Sequence, residues 1–144
     1  MFRHQGKTRS FIHNLRLATI LSLVAGLVNI TGVLALKTLT TNVTGHFAYF
    51  AEEVVKHNYA AAITFFVFTI FFLIGSFTSN FLSELIAKSR SQLSHVIPIS
   101  LEIIILVSCG MFGVAADIST SEGKIIAFLL LFAMGIQNSL VTKV

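Results

Sequence analysis

Four long runs of apolar residues alternate with short polar stretches along the chain. An α-helix rises about 1.5 Å per residue, so about 20 apolar residues cross a hydrocarbon core about 30 Å thick. The pattern therefore predicts an all-α, polytopic helical membrane protein with four transmembrane helices. We expect one membrane domain over residues 1–144, with spans at approximately residues 17–36, 60–82, 96–116 and 125–144.

A run of threonine, asparagine and glycine interrupts the apolar pattern directly after the first predicted span. Short hydroxyl and amide side chains compete for backbone hydrogen bonds, so they favour turns, caps and broken helices. Residues 46–57 then show helical spacing, but their apolar part is too short to cross a bilayer. We expect a short helix there, either interfacial or re-entrant. The polar run contains Thr38, Thr40, Thr41, Asn42, Thr44 and Gly45.

Two of the predicted spans carry small residues at four-residue spacing, which places these residues on one face of each helix. Small residues let helix backbones approach closely, so both faces are expected to pack against other helices. The two faces are Ala18, Ser22 and Gly26 in the first span, and Gly75, Ser79 and Ser83 in the second.

Composition and charge agree with a membrane location. The chain is 55% hydrophobic and only 11% charged, whereas soluble domains carry about 25% charged residues. In the four-span arrangement, seven of the ten basic residues fall on the side of the N-terminus. Because basic residues concentrate in cytoplasmic loops, we expect a cytoplasmic N-terminus. Membrane orientation thus explains the net charge of +4, and we expect no nucleic-acid partner.

The sequence carries no pattern that is typical of catalysis. It lacks Gly-x-Ser-x-Gly, His-Glu-x-x-His, a phosphate-binding loop and clustered histidine or cysteine spacing. Six acidic residues, five histidines and one cysteine are scattered along the chain. We therefore expect a protein that is not an enzyme and that holds no metal ion or other cofactor.

Three segments resemble a known family of bacterial membrane proteins. They read Ala-Gly-Leu-Val-Asn at 25–29, Thr-Thr-Asn-Val-Thr-Gly-His at 40–46 and Ala-Met-Gly-Ile-Gln-Asn-Ser-Leu-Val at 133–141. In this order and spacing the chain resembles the YoaK family, the domain of unknown function 1275. The resemblance implies a bacterial cytoplasmic membrane protein with about six helices, of which this chain would be the N-terminal part. It implies no particular biochemical activity.

A short motif occurs in both the first and the fourth predicted spans. Gly26-x-x-Asn29 recurs as Gly135-x-x-Asn138, each within an apolar helix. If the intact protein contained two units of three spans, the second unit would enter the membrane inverted. Inverted repeats with interrupted helices are the architecture of many secondary transporters. The motif therefore supports an inverted-repeat hypothesis.

The candidate substrate-binding residues are polar groups within or beside these apolar spans. A carboxylate such as Glu102 in a span costs about 2.5–3.5 kcal/mol on insertion scales, which favours a functional role. Alternatively, Glu102 reaches the cytoplasmic surface or bonds a neighbouring helix. Asn29 and the polar run have structural alternatives too, namely an interhelical hydrogen bond and a helix cap. The candidates are Asn29, Thr40, Thr41, Asn42, Thr44, Gly45, Glu102, Gln137 and Asn138.

Two functional hypotheses follow from these residues. The first is a small-solute or ion transporter in the lipid bilayer, with the candidate residues near its path. The second is a membrane scaffold or regulatory protein, in which the polar residues only hold helices together. Assembly into a homo-oligomer is compatible with both hypotheses.

Overall fold

Five α-helices make up the regular structure of the described residues. A computed structural model describes residues 11–88, 93–112, 118 and 120–142 and contains no strand among them. This confirms the all-α expectation. The helices are α1 Phe11–Leu36, α2 Val43–Val55, α3 Tyr59–Ala87, α4 Val96–Phe112 and α5 Ser121–Val141.

Three of the helices are long and apolar enough to cross a membrane. They are the Ala18–Leu36 part of α1, α3 with 29 residues and α5 with 21 residues. The fourth apolar helix, α4, has 17 residues, which correspond to only about 25 Å. The third predicted span therefore contains a shorter described helix than expected, and its residues 113–116 lie outside the described residues. The three long helices indicate a membrane protein.

Side-chain caps explain where three of the helices begin. The side chains of Asn42 and Asn58 accept hydrogen bonds from the backbone amides at the starts of α2 and α3. Thr120 does the same for Gly123 at the start of α5, with an oxygen–nitrogen distance of 3.1 Å. Each of these bonds satisfies an amide that has no partner within its helix, which fixes the start of that helix.

The centre of the fold is a close crossing of α3 and α5. A Cβ atom on Gly75 would overlap the backbone carbonyl of Phe132, and a Cβ atom on Gly135 would overlap that of Phe72. The contact is thus reciprocal, and each helix presents its glycine to the backbone of the other. The expectation that the small-residue face of the second span packs against protein is confirmed, since Gly75, Ser79 and Ser83 are buried.

The directions of the helices follow from which residues meet. The ring of Phe128, early in α5, packs against Phe68 and Phe71 of α3. Because the glycine contact lies further along both helices, α3 and α5 are parallel. Gln137, late in α5, bonds to Leu21 of α1, so α1 is antiparallel to α5. These directions make α1 and α3 antiparallel, so α1 ends and α3 begins at the same end of the bundle. The segment between them, which contains α2, therefore makes no full crossing of its own.

The outer face of α1 is apolar and exposed. Leu23, Leu27 and Leu34 are 61%, 57% and 67% exposed. Burial of such side chains from water is favourable by about 1.5–3 kcal/mol each, so this face is suited to lipid. The expected close packing at Gly26 is not found, because no described atom lies within 4 Å of a Cβ placed there. The small-residue face of α1 is therefore less closely packed than that of α3.

The glycine crossing generates a first prediction. We expect Gly75→Ala to lower the free energy of unfolding by about 1–3 kcal/mol, because the added methyl group overpacks a contact with backbone atoms. Gly26→Ala is the matched control and should cause no loss, because the space beside Gly26 is open. Denaturant unfolding of both variants in detergent micelles measures the difference. Equal stability of the two variants would contradict the role assigned to the crossing.

Candidate functional site

The chain turns back on itself directly after α1. Lys37 adopts a left-handed conformation with φ of 53°, which is uncommon for a residue other than glycine and reverses the chain direction. Residues 37–42, here called the return segment, are not helical. They pack onto Gly32 of α1, where a Cβ atom would collide with the side chain of Thr40. The sequence thus places a glycine where the return segment needs close access to α1.

Asn29 holds the return segment to the middle of α1. Its Oδ1 atom accepts hydrogen bonds from the backbone amides of Thr40 at 2.9 Å and Thr41 at 3.3 Å. Asn29 precedes Leu36, the last residue of α1, by seven positions, or about 10 Å along the helix. The return segment therefore runs about two turns back along α1 before α2 begins.

The second helix, α2, lies beside the first half of α3. Its residue Val43 packs against the cluster around Phe72, which is the fourteenth of the 29 residues of α3. Further along α2, the ring of Phe50 packs against Phe66. Since α2 ends at Val55 and α3 starts at Tyr59, α2 runs antiparallel to α3. Most residues of α2 are exposed and only His46 is buried, so α2 lies along the outside of α3.

His46 joins the return segment to α2. Its Nε2 atom lies 2.5 Å from the carbonyl oxygen of Leu39, and since a carbonyl only accepts, Nε2 carries the hydrogen. The imidazole is 1% exposed, and its ring packs against Phe65 and Phe68. His46 therefore links the return segment to α2 through the carbonyl group of Leu39.

A cavity of about 170 Å³ lies where the return segment meets α1, α3 and α5. Taking about 30 Å³ per water molecule in the liquid, this volume corresponds to about six waters. The cavity brings together three of the predicted residues, Thr41, Gln137 and Asn138. Its lining comprises Leu21, Ser22, Ala25, Thr41, Phe72, Met134, Gln137, Asn138 and Val141.

Gln137 gives the cavity its chemical character. Its Nε2 atom donates a hydrogen bond to the carbonyl oxygen of Leu21. Its Oε1 atom is buried and has no hydrogen-bond partner among the described residues. A buried acceptor without a partner costs about 1–3 kcal/mol, so this oxygen is suited to receive a hydrogen-bond donor or a cation. The lining contains no charged side chain.

The other predicted residues take three different positions. Asn29 and Thr40 do not line the cavity, and the hydrogen bond from the Thr40 amide to Asn29 Oδ1 holds the return segment to α1. Asn42, Thr44 and Gly45 form the cap of α2, in which Asn42 Oδ1 accepts from the hydroxyl of Thr44 and the amide of Gly45, both at 2.9 Å.

Glu102 lies on α4, is only 4% exposed and does not line the cavity. The set of predicted residues is therefore not gathered into one site.

Three serines were not among the predicted site residues although their hydroxyl groups are buried. Ser79, Ser83 and Ser139 have no hydrogen-bond partner for Oγ among the described residues. Ser79 and Ser83 belong to the small-residue face of the second predicted span, and that spacing was their only signal. Ser22, which lines the cavity, likewise belongs to the small-residue face of the first span. Small-residue spacing alone does not distinguish packing residues from site residues.

The comparison with known proteins identifies the family. The sequence profile of the family described as "Protein of unknown function (DUF1275)" matches residues 17–144. The chain therefore belongs to the DUF1275 family, as its sequence motifs predicted. No curated protein and no solved structure matches this chain.

The hydrogen bonds of Asn29 generate a second prediction. Asn29→Ala leaves two backbone amides of the return segment without their acceptor, at a cost of about 1–3 kcal/mol for each buried amide. We expect a corresponding fall in the free energy of unfolding, measured in detergent micelles. Asn138→Ala is the control, because the Asn138 side chain is exposed. A return segment that did not depend on Asn29 would give the same small effect in both variants.

Proposed function

We propose that this member of the DUF1275 family is a membrane transporter for small polar solutes or ions rather than an enzyme. The observation that carries the proposal is the cavity beside the return segment, which is lined by Gln137, a residue whose buried Oε1 atom has no partner among the described residues. Broken helices that expose polar groups within a bundle are typical of transporter binding sites, since irregular backbone in a membrane needs a protein-lined or water-filled environment.

The lining groups define the class of solute. Ser22, Thr41 and Asn138 both donate and accept hydrogen bonds, whereas Gln137 Oε1 only accepts. With no carboxylate and no basic residue in the lining, the site provides no full charge to balance an ion. We therefore propose a solute of a few non-hydrogen atoms that carries at least one N–H or O–H group. A small organic cation also satisfies this description, whereas a carboxylate anion does not.

The inverted-repeat hypothesis is part of this proposal. α1 and α5 are antiparallel, which is the relation that equivalent helices of two inverted units have. Each carries the Gly-x-x-Asn motif, and Asn29 uses its amide to hold the broken segment that follows α1. The two glycines differ, because Gly135 packs against α3 whereas Gly26 faces open space. The support thus rests on helix direction and on the asparagines.

Membrane orientation belongs to the proposal as well. We propose a bacterial cytoplasmic membrane location with the N-terminus in the cytoplasm, because seven of the ten basic residues fall on that side. His57 and Lys88 are exposed just outside the two ends of α3, so they report on opposite sides of the bilayer.

Cysteine labelling tests this orientation. In a Cys109→Ala background, we expect an impermeant maleimide added to intact cells to label His57→Cys but not Lys88→Cys. Permeabilised cells should label both variants, which controls for reactivity. Labelling of Lys88→Cys alone in intact cells would show that the orientation is opposite to the proposed one. Labelling of both variants would contradict the proposal that α3 spans the membrane.

Solute binding tests the proposed site. Because a ligand that binds only the folded state at 100 times its Kd stabilises that state by about 2.7 kcal/mol, thermal unfolding in micelles detects binding. The probes are urea, methylammonium and acetate. We expect urea or methylammonium, but not acetate, to raise the melting temperature of the wild-type protein. Gln137→Met should abolish this shift, whereas the control Thr78→Val, on the exposed side of α3, should retain it.

Uptake into proteoliposomes separates the two functional hypotheses. A stabilising probe should enter vesicles that contain the wild-type protein but not vesicles with Gln137→Met. Gln137→Glu introduces a negative charge and should favour methylammonium over urea. Stabilisation by acetate alone would contradict the proposed solute class. No stabilisation by any probe, together with impermeable vesicles, would favour the scaffold function.

A further inference from the structure

Glu102 is a buried carboxyl group that the solute cavity does not use. It is the seventh residue of α4 and is 4% exposed, so it lies within the protein rather than at the lipid-facing surface. A buried carboxylate is strongly disfavoured unless it is paired or neutralised. The groups around Glu102 therefore determine what this residue can do.

The directions of the helices define the level of Glu102, that is, its position along the long axis of the bundle. Cys109, two turns after Glu102 on α4, packs in one cluster with Ala127 of α5. α4 is antiparallel to α5, because Cys109 near the end of α4 meets the first part of α5. Glu102 therefore lies about two turns further along α5 than Ala127, at the level of Met134 to Gln137.

This level contains buried polar atoms that have no partner. Ser79 and Ser139 each follow a glycine of the α3–α5 crossing by four residues, so both lie one turn beyond it. Together with Gln137 they are at most 2% exposed. Ser79 Oγ, Gln137 Oε1 and Ser139 Oγ make no hydrogen bond with the described residues. Because none of these three oxygens has a hydrogen-bond partner among the described residues, none of them bonds to the Glu102 carboxyl group.

No basic side chain of the described residues faces Glu102 from the helices packed against it. Lys88 and Glu84 of α3 are exposed, as are Lys124 and Glu122 near the start of α5. Within α4 itself, Cys109 lies two turns away, and His95 precedes the first residue of the helix. Within residues 11–88, 93–112 and 120–142, no fixed cation therefore balances the charge of a Glu102 carboxylate, and a bound proton would neutralise it.

We propose that Glu102 is a proton-binding site and that this proton couples to solute movement. The coupling, but not the proton binding, rests on the proposed transport function. The carboxylate takes up one proton and becomes a neutral carboxylic acid, and it becomes a carboxylate again when the proton leaves. A proton needs no space in a packed interior, unlike a sodium ion with its several oxygen ligands.

Infrared spectroscopy of the whole chain in lipid nanodiscs tests proton binding directly. We expect a carbonyl band of a protonated carboxylic acid that rises and falls with pH in the wild-type protein and is lost in Glu102→Gln. Glu84→Gln, which removes an exposed carboxyl of α3, should leave the band unchanged. Glu102→Asp keeps an acid group and should shift the band, which covers the case in which Glu102→Gln does not fold.

A band that persists in Glu102→Gln, or the lack of any band in the wild-type protein, would overturn the proposal. If sodium concentration changed the band at constant pH, the ion that binds at Glu102 would be sodium rather than a proton.

Transport measurements separate this proposal from the proposed function. In Glu102→Gln we expect solute accumulation driven by a pH gradient to be lost while solute exchange without a gradient continues. Loss of exchange as well would overturn the coupling role. If the wild-type protein moved no solute but showed the pH-dependent band, the transport function would fail and the proton site would stand.

Discussion

The structure depends on the contact between the backbones of α3 and α5. In a lipid environment the tails are as apolar as leucine side chains, so helices associate through close packing rather than through removal of apolar surface from water. Gly75 and Gly135 provide that packing by letting each helix touch a carbonyl group of the other. α1 and α4 both pack against α5 in the antiparallel direction, and α2 packs against α3. The positions of all the other helices are thus set relative to this pair.

The return segment is the second constraint, because it places irregular backbone beside the middle of α1. Backbone amides and carbonyls have no water to bond within a bilayer, so each needs a partner from the protein. Asn29 supplies an acceptor for two amides, and His46 supplies a donor for the carbonyl of Leu39. Neither Asn29 nor His46 lines the cavity, but Asn29 holds the backbone of Thr41, which does. The support of the return segment therefore also positions one wall of the cavity.

The sequence predicted the helices better than it predicted their contacts. Apolar run length identified α1, α3 and α5, and the threonine-rich run located the break between α1 and α2. The partner of Asn29 lies eleven residues away across a reversed chain, which local spacing does not reveal. Small-residue spacing marked Gly26 and Gly75 equally, yet only Gly75 is closely packed. The spacing indicates that one face of a helix carries small residues, whereas the neighbouring helix determines whether that face is closely packed.

The central helix α5 separates the two proposed sites and also connects them. Successive residues of a helix are rotated by about 100°, so Gln137 and Ser139 lie about 160° apart around α5. Gln137 faces the cavity beside α1, whereas Ser139 lies on the side of Gly135 that meets α3. In the proposed mechanism a change of charge at Glu102 acts on one side of α5 and the solute on the other. α1, which lines the cavity, and α4, which carries Glu102, both pack against α5. A displacement of this one helix would therefore change both sites together, which is the physical requirement for coupling.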